Sequence, residues 1–170
     1  DYFSADADFE AIEVKSQTPG RPLFVFTGQM DYRPNIEAVE SFAREVLPSI
    51  RWVHPDATFA IVGRNPTPQV EGLAAQPGVI VTGSVPDVRG WLAAANVVVA
   101  PLRIARGIQN KVLEAMAMGC PIVASPQAAE GIDARHGEHL LIAPDPKAEA
   151  EAVLALLGDP QRAATLGRAA

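Results

Sequence analysis

The sequence predicts a doubly wound α/β domain, a mainly parallel sheet of about six strands with helices on both faces. Three observations point there. Short runs that are apolar throughout, such as Phe24-Val25-Phe26 and Val97-Val98-Val99, suit strands covered on both sides. They alternate with longer stretches whose apolar residues recur at helical spacing. Glycine or proline closes most runs, and no internal repeat or low-complexity stretch breaks the alternation.

Residues 1–20 mix acids with Ser16, Thr18, Pro19 and Gly20 and show no sustained period, so they read as a lead-in segment or interdomain linker, with the domain spanning 21–170. Leu23 to Thr27 reads as a strand closed by Gly28. Ile36, Val39, Phe42, Ala43, Val46 and Leu47 then mark a helix ended by Pro48. Phe59 to Val62 and Val79 to Thr82 are strands ending at Gly63 and Gly83. Asp87 suits the N-cap of a short helix from Val88 to Ala95 that buries Trp91 and Leu92. Val97 to Ala100 is a strand stopped by Pro101, and a loop leads to a helix from about Ile108 to Met118, closed by Gly119 with Pro121 beyond. Ile122 to Ala124 and Leu140 to Ile142 supply two more strands. Ala148 to Leu157, and the stretch after Pro160, read as surface helices.

At 170 residues, 48% apolar and 20% charged, the chain can bury a core as one domain. It begins on Asp1 without an initiator methionine and stops in a helix-like tail, so a piece of a longer protein is expected. The balance of 14 basic against 20 acidic groups, net −6, argues against a nucleic-acid or anionic-membrane binder. No run approaches the length of a membrane span and no basic-then-apolar leader precedes the domain, which points to a soluble segment. The lone Cys120 permits no internal disulfide and fits a reducing cytoplasm.

Ligands of such sheets bind at the carboxyl ends of the strands, so function is expected in the turns after Thr27, Val62, Thr82, Ala100 and Ala124. Several chemistries are excluded there. After the first strand stands Gly28-Gln29-Met30-Asp31 in place of G-x-G-x-x-G, and no phosphate-binding G-x-x-x-x-G-K-[ST] occurs. A single Asp31 does not make a phospho-receiver. His54, His136 and His139 lack metal-ligand spacing and read as surface histidines. Neither Ser84 nor Ser125 lies in a G-x-S-x-G elbow.

The informative stretch is PLRIARGIQNK, 101–111. Arg103, Arg106 and Lys111 give it a local +3 without an acid, at a helix start where free N–H groups and the helix dipole favour an anion. Gly107 admits a close backbone approach. The features describe a phosphate site, and equally a solvated loop with scattered basic residues. Glu114 shifts the balance, because it is the one charged residue in VLEAMAMGCPIVA, 112–124, and a buried carboxylate needs a specific neighbour. Either it pairs with Lys111 three residues earlier, or it accepts hydrogen bonds from sugar hydroxyls in a cleft. Gly107, Lys111 and Glu114 on one stripe suit a phosphorylated sugar such as a nucleotide.

The segment GIQNKVLEAMAMGCPIVAS resembles the donor-site signature of the group 1 glycosyltransferases, retaining enzymes of the two-domain GT-B fold. TGQMDYRPNIEAV and GSVPDVRGWLAAANVVVAPLR are similar to flanking stretches of that family, and the phrasing is closest to sugar transferases of bacterial exopolysaccharide systems. The resemblance runs from Phe24 to Gly167 and matches the C-terminal, Rossmann-like half of such enzymes. It implies that Glu114 binds the ribose of a nucleotide diphosphate sugar of UDP or GDP type. It implies that Gly107, Ile108, Gln109 and Asn110 contact the diphosphate or sugar, near Gly28. Gly63, Arg64, Val85 and Pro86 would border the base.

Two positions depart from the family pattern. Arg106 stands where many members carry a second glutamate, and Gln29 replaces a phosphate-binding arginine, with Arg33 as a possible substitute. The resemblance implies sugar transfer to an acceptor hydroxyl with retention. Arg33, Arg103, Arg106 and Lys111 are then candidates to hold the leaving diphosphate. No metal and no cofactor are expected, and Asp6 to Asp8 read as solvated acids. The expected partners are the nucleotide sugar, an N-terminal acceptor domain absent from this chain, and a sugar or lipid-linked acceptor, with no nucleic acid. The place is the cytoplasm or the inner face of the membrane, and the domain alone would be inactive. The alternatives are a sugar-nucleotide epimerase of the same architecture and a degenerate scaffold domain.

Overall fold

The apolar runs assemble as six strands in one sheet. They are β1 (Leu23–Thr27), β2 (Thr58–Val62), β3 (Val79–Gly83), β4 (Val97–Ala100), β5 (Ile122–Ala124) and β6 (Leu141–Ile142), in the order β3-β2-β1-β4-β5-β6. Every pairing is parallel. In the computed structural model the described residues are 2–10 and 21–170, and the reading of 11–20 as linker lies outside them. The residues of β1, β2, β4 and β5 are all buried, as their unbroken apolar character requires. Strand order reverses between β1 and β4, which opens a crevice at their carboxyl ends.

The connections are α1 (Arg33–Ser41), α2 (Leu47–Val53), α3 (Pro68–Gly72), α4 (Arg89–Ala94), α5 (Asn110–Ala117) and α6 (Pro126–Ala129), followed after β6 by α7 (Pro146–Gly158) and α8 (Pro160–Ala169). Three sequence expectations need correction or refinement. Pro48 does not end the first helix. A π-helical turn, Phe42–Val46, with Leu47 N–H donating to the Phe42 carbonyl, resets the ladder. Pro48 thus falls in the first turn of α2, where its missing N–H is not needed. The same turn buries Phe42 against Phe59, with ring centroids 4.5 Å apart.

Second, α7 is a surface helix whose inner face belongs to the core. Ala150, Val153 and Leu156 form an apolar stripe buried on the π-helical turn, α2 and β5, while Lys147 and Glu151 face water. Third, Val88 is the N-cap of α4 in place of Asp87. The Asp87 carboxylate still accepts the Arg89 N–H at 2.9 Å, and Trp91 is half-buried beside fully buried Leu92. The short helices α3 and α6 had no periodicity to show them. Each starts at a capping hydroxyl and a proline, Thr67-Pro68 and Ser125-Pro126, whose side chains accept from Val70 and Ala128 N–H. No helix among the described residues is long and apolar enough to cross a membrane.

Candidate functional site

A cleft of about 680 Å³ lies over the carboxyl ends of β1, β2 and β3 and the start of α5. Its floor is two glycine turns. Gly28, directly after β1, donates its N–H to the Val62 carbonyl at 3.0 Å, and Met30 N–H reaches the Arg64 carbonyl at 2.8 Å. A Cβ on Gly63 would stand 1.6 Å from the Gly28 oxygen, and one on Gly28 would stand 2.8 Å from Asn35 Nδ2 and 3.0 Å from Lys111 Nζ. Gly63 therefore excludes any side chain, and one on Gly28 would push the Asn35 and Lys111 side chains out of place, so the crevice floor at these turns is backbone.

Asn35, buried in the first turn of α1, ties this floor together. Its Nδ2 donates to the Gln29 carbonyl at 2.9 Å, and its Oδ1 accepts from Lys111 Nζ at 2.7 Å. Lys111 also lies 4.5 Å from the centroid of the buried Phe26 ring. Burial draws the Lys111 ammonium down to about 8, partly opposed by the Glu114 charge. Burial likewise pushes the Glu114 carboxyl up, opposed by Lys111. The sequence allowed a Lys111–Glu114 ion pair. None forms within 4.0 Å among the described residues, since the lysine is held by Asn35, and both Lys111 and Glu114 line the cleft.

Of the residues expected from sequence, Gly28, Gly63, Arg64, Val85, Ile108, Gln109, Asn110, Lys111 and Glu114 converge on this cleft. Others do not. Arg33 pairs with Glu37 at 2.7 Å in solvent, with 83% of its side chain exposed, and lines nothing here. Arg64 Nη2 donates to the Gln29 side chain at 3.2 Å, so a guanidinium from the turn after β2 stands beside Gln29 at the cleft. Arg103 faces the buried Glu149 of α7 at 2.7 Å, a charge contact without hydrogen-bond alignment. Burial pushes the Glu149 carboxyl up, opposed by Arg103. Arg106, Gly107 and Pro86 are outside the lining; Gly107 (φ 68°) turns the loop, and Gln109 Nε2 braces it by donating to the Gly107 carbonyl at 3.2 Å.

Sequence reasoning missed Phe3, Thr27, Asn35, Val62, Ser84 and Val88 as lining residues. Asn35 could have been found. It shares the buried face of its helix with Ala38 and Val39, and a polar residue there needs a partner, as Glu114 did. Nothing in the pattern announces Phe3. His136 and His139 accept backbone N–H groups of Ile142 and Arg135 through Nδ1. Among the described residues no group of three or more His, Cys, Asp or Glu gathers at one place.

The six-stranded all-parallel sheet, with its cleft at the strand-order reversal, is a Rossmann-like α/β fold, and it superposes on one half of GT-B glycosyltransferases. The chain belongs to the group 1 glycosyl transferases, whose family model matches residues 21–159. It is 28% identical over 122 residues to a phosphatidyl-myo-inositol mannosyltransferase of Propionibacterium freudenreichii, covering 70% of this chain and 30% of that protein. The Anabaena protein HepE, crystallised with UDP and glucose, superposes with a TM-score of 0.73 at 16% identity over 92% of this chain and 45% of its own. Sucrose-phosphate synthase of Thermosynechococcus elongatus gives 0.71 at 26% identity, over 92% of this chain and 42% of its own. The chain thus spans less than half the length of these relatives.

Proposed function

We propose that this chain is the donor-binding half of a retaining glycosyltransferase and holds a nucleotide diphosphate sugar, of UDP or GDP type, in the cleft above Gly28. The observation that carries the reading is the meeting of Lys111, Glu114 and the start of α5 over a floor of side-chain-free backbone. The complex of HepE with UDP and glucose supports it by analogy of fold.

In this reading the diphosphate lies against the α5 N-terminus, where orphan N–H groups and the helix dipole favour anions, with Lys111 and Arg64 as the cations. Glu114 accepts hydrogen bonds from the ribose hydroxyls. As the bond from the anomeric carbon to the diphosphate breaks and one to the acceptor hydroxyl forms, charge gathers on the departing phosphate, where Lys111 is already fixed. The acceptor proton leaves to groups outside this chain. No metal or cofactor is invoked. Acceptor binding falls to the partner half, with a sugar or lipid-linked acceptor, in glycan or exopolysaccharide assembly on the cytoplasmic side of the membrane. The chain alone binds donor without turning it over.

Calorimetry with UDP, GDP and ADP tests this. Glu114→Ala removes a charged acceptor worth about 1.5–3 kcal/mol, so affinity should fall by roughly 10- to 100-fold. Absence of binding at millimolar nucleotide, or an unchanged affinity in the variant, refutes the assignment. One observation favours a second reading, a non-catalytic nucleotide-binding domain. Arg106, which replaces the expected glutamate, is exposed and outside the cleft. Transfer from a labelled donor by the chain joined to its partner half would exclude it.

A further inference from the structure

Residues 2–10 do more than lead into the domain. The Tyr2 hydroxyl meets Asp87 Oδ1 at 3.3 Å, and Arg89 Nη1 donates to the Tyr2 carbonyl at 3.0 Å. The Arg89 guanidinium lies 3.9 Å from the Tyr2 ring centroid and is itself locked to Asp87, Nη2 to Oδ2, at 2.6 Å. That guanidinium holds the Asp87 carboxyl below the usual carboxylate range. Tyr2 packs edge-on against Phe3, with centroids 5.0 Å apart. The clamp delivers Phe3 into the lining of the cleft, at the end formed by Ser84, Val85 and Val88 after β3.

The two ends of the cleft differ in chemistry. The end at Gly28 carries Lys111, Glu114 and Asn35, whereas Phe3, Val85 and Val88 are apolar. β3 stands two strand positions from β1, about 10 Å at the usual spacing. A nucleoside diphosphate has the same polarity, a flat π face at one end and the anion at the other. From this juxtaposition we infer that Phe3, held by the Tyr2–Asp87–Arg89 clamp, is a stacking surface for the nucleobase of the donor. The inference rests on the proposed nucleotide site and adds to it a residue from outside the sheet. An aromatic ring accepts any base, since each has a π face, so Phe3 supplies affinity and leaves base choice to the polar groups around it.

The test compares ligands with and without a base. The chain, Phe3→Ala and Phe3→Trp are titrated with inorganic pyrophosphate and with whichever of UDP, GDP and ADP binds the parent chain best, and thermal unfolding monitors the fold. Stacking predicts that Phe3→Ala weakens the nucleotide by roughly tenfold or more, leaves pyrophosphate unchanged, and that Phe3→Trp restores nucleotide affinity. Arg89→Ala, which frees Tyr2, should weaken nucleotide in the same selective way. Equal losses for nucleotide and pyrophosphate, or no loss for either, overturn the role of Phe3 while leaving the nucleotide site standing. Absence of nucleotide binding by the parent chain overturns both.

Discussion

Burial draws the Lys111 ammonium to about 8 from the 10.5 of a free side chain, and this fixes the sign of its pH effects. Between those values the unfolded chain holds a proton that the folded chain lacks, so this group makes stability rise with pH, and the full penalty applies below pH 8. That penalty is about 3 kcal/mol, offset by about 1.5–3 kcal/mol for the charge-assisted bond to buried Asn35. Lys111→Met should therefore cost the free chain little or no stability at pH 7 in urea unfolding while removing nucleotide binding; a loss above about 2 kcal/mol would show that the bond to Asn35 outweighs burial. Affinity for a diphosphate should fall above pH 8, by up to about tenfold per pH unit, as Lys111 loses its proton. It should also fall on the acid side, where the raised Glu114 carboxyl becomes protonated. Calorimetric titrations across pH read both limbs. Lys111 and Glu114 were legible from local contrast, a cation in an acidic chain and one acid in an apolar run. The pairing of Lys111 with Asn35 was not, because it joins residues 76 apart in sequence.

Helix α7 and the loop after β4 are joined by the Arg103–Glu149 contact. Glu149→Ala leaves Arg103 facing a buried gap. The expected loss is about 2 kcal/mol in chemical denaturation, below the roughly 3–5 kcal/mol of fully buried pairs because Arg103 is partly solvated. An unchanged midpoint would mean that solvent replaces the contact at no cost. The strands were legible because burial on both faces leaves an unbroken apolar run, and β1, β4 and β5 keep their expected bounds. The helix through Pro48 was not, because a π-helical turn moves the proline into a first turn without any local signal. The burial of α7 depended on what lies opposite it, the π-helical turn and β5, which no window along the chain contains.

At the scale of the molecule, the alternation of strands and helices gave the layers, and the strand-order reversal then put the cleft where the basic loop ends. The positions of Arg64 and Arg103 came only with the fold, since each cation is allotted by a neighbour from a distant segment, Gln29 after β1 and Glu149 on α7, whereas Arg33 pairs with Glu37 one turn on in its own helix. Across the reversal, Asn35 on the β1 side grips Lys111 on the β4 side. An arriving anion can take another of the three ammonium N–H groups and alter the polarisation of the bond to Asn35, so the Asn35 side-chain amide should report its arrival. Its two N–H resonances should shift on titration with inorganic pyrophosphate, before any sugar or acceptor is present. The chain thereby carries its own signal for how full the cleft is.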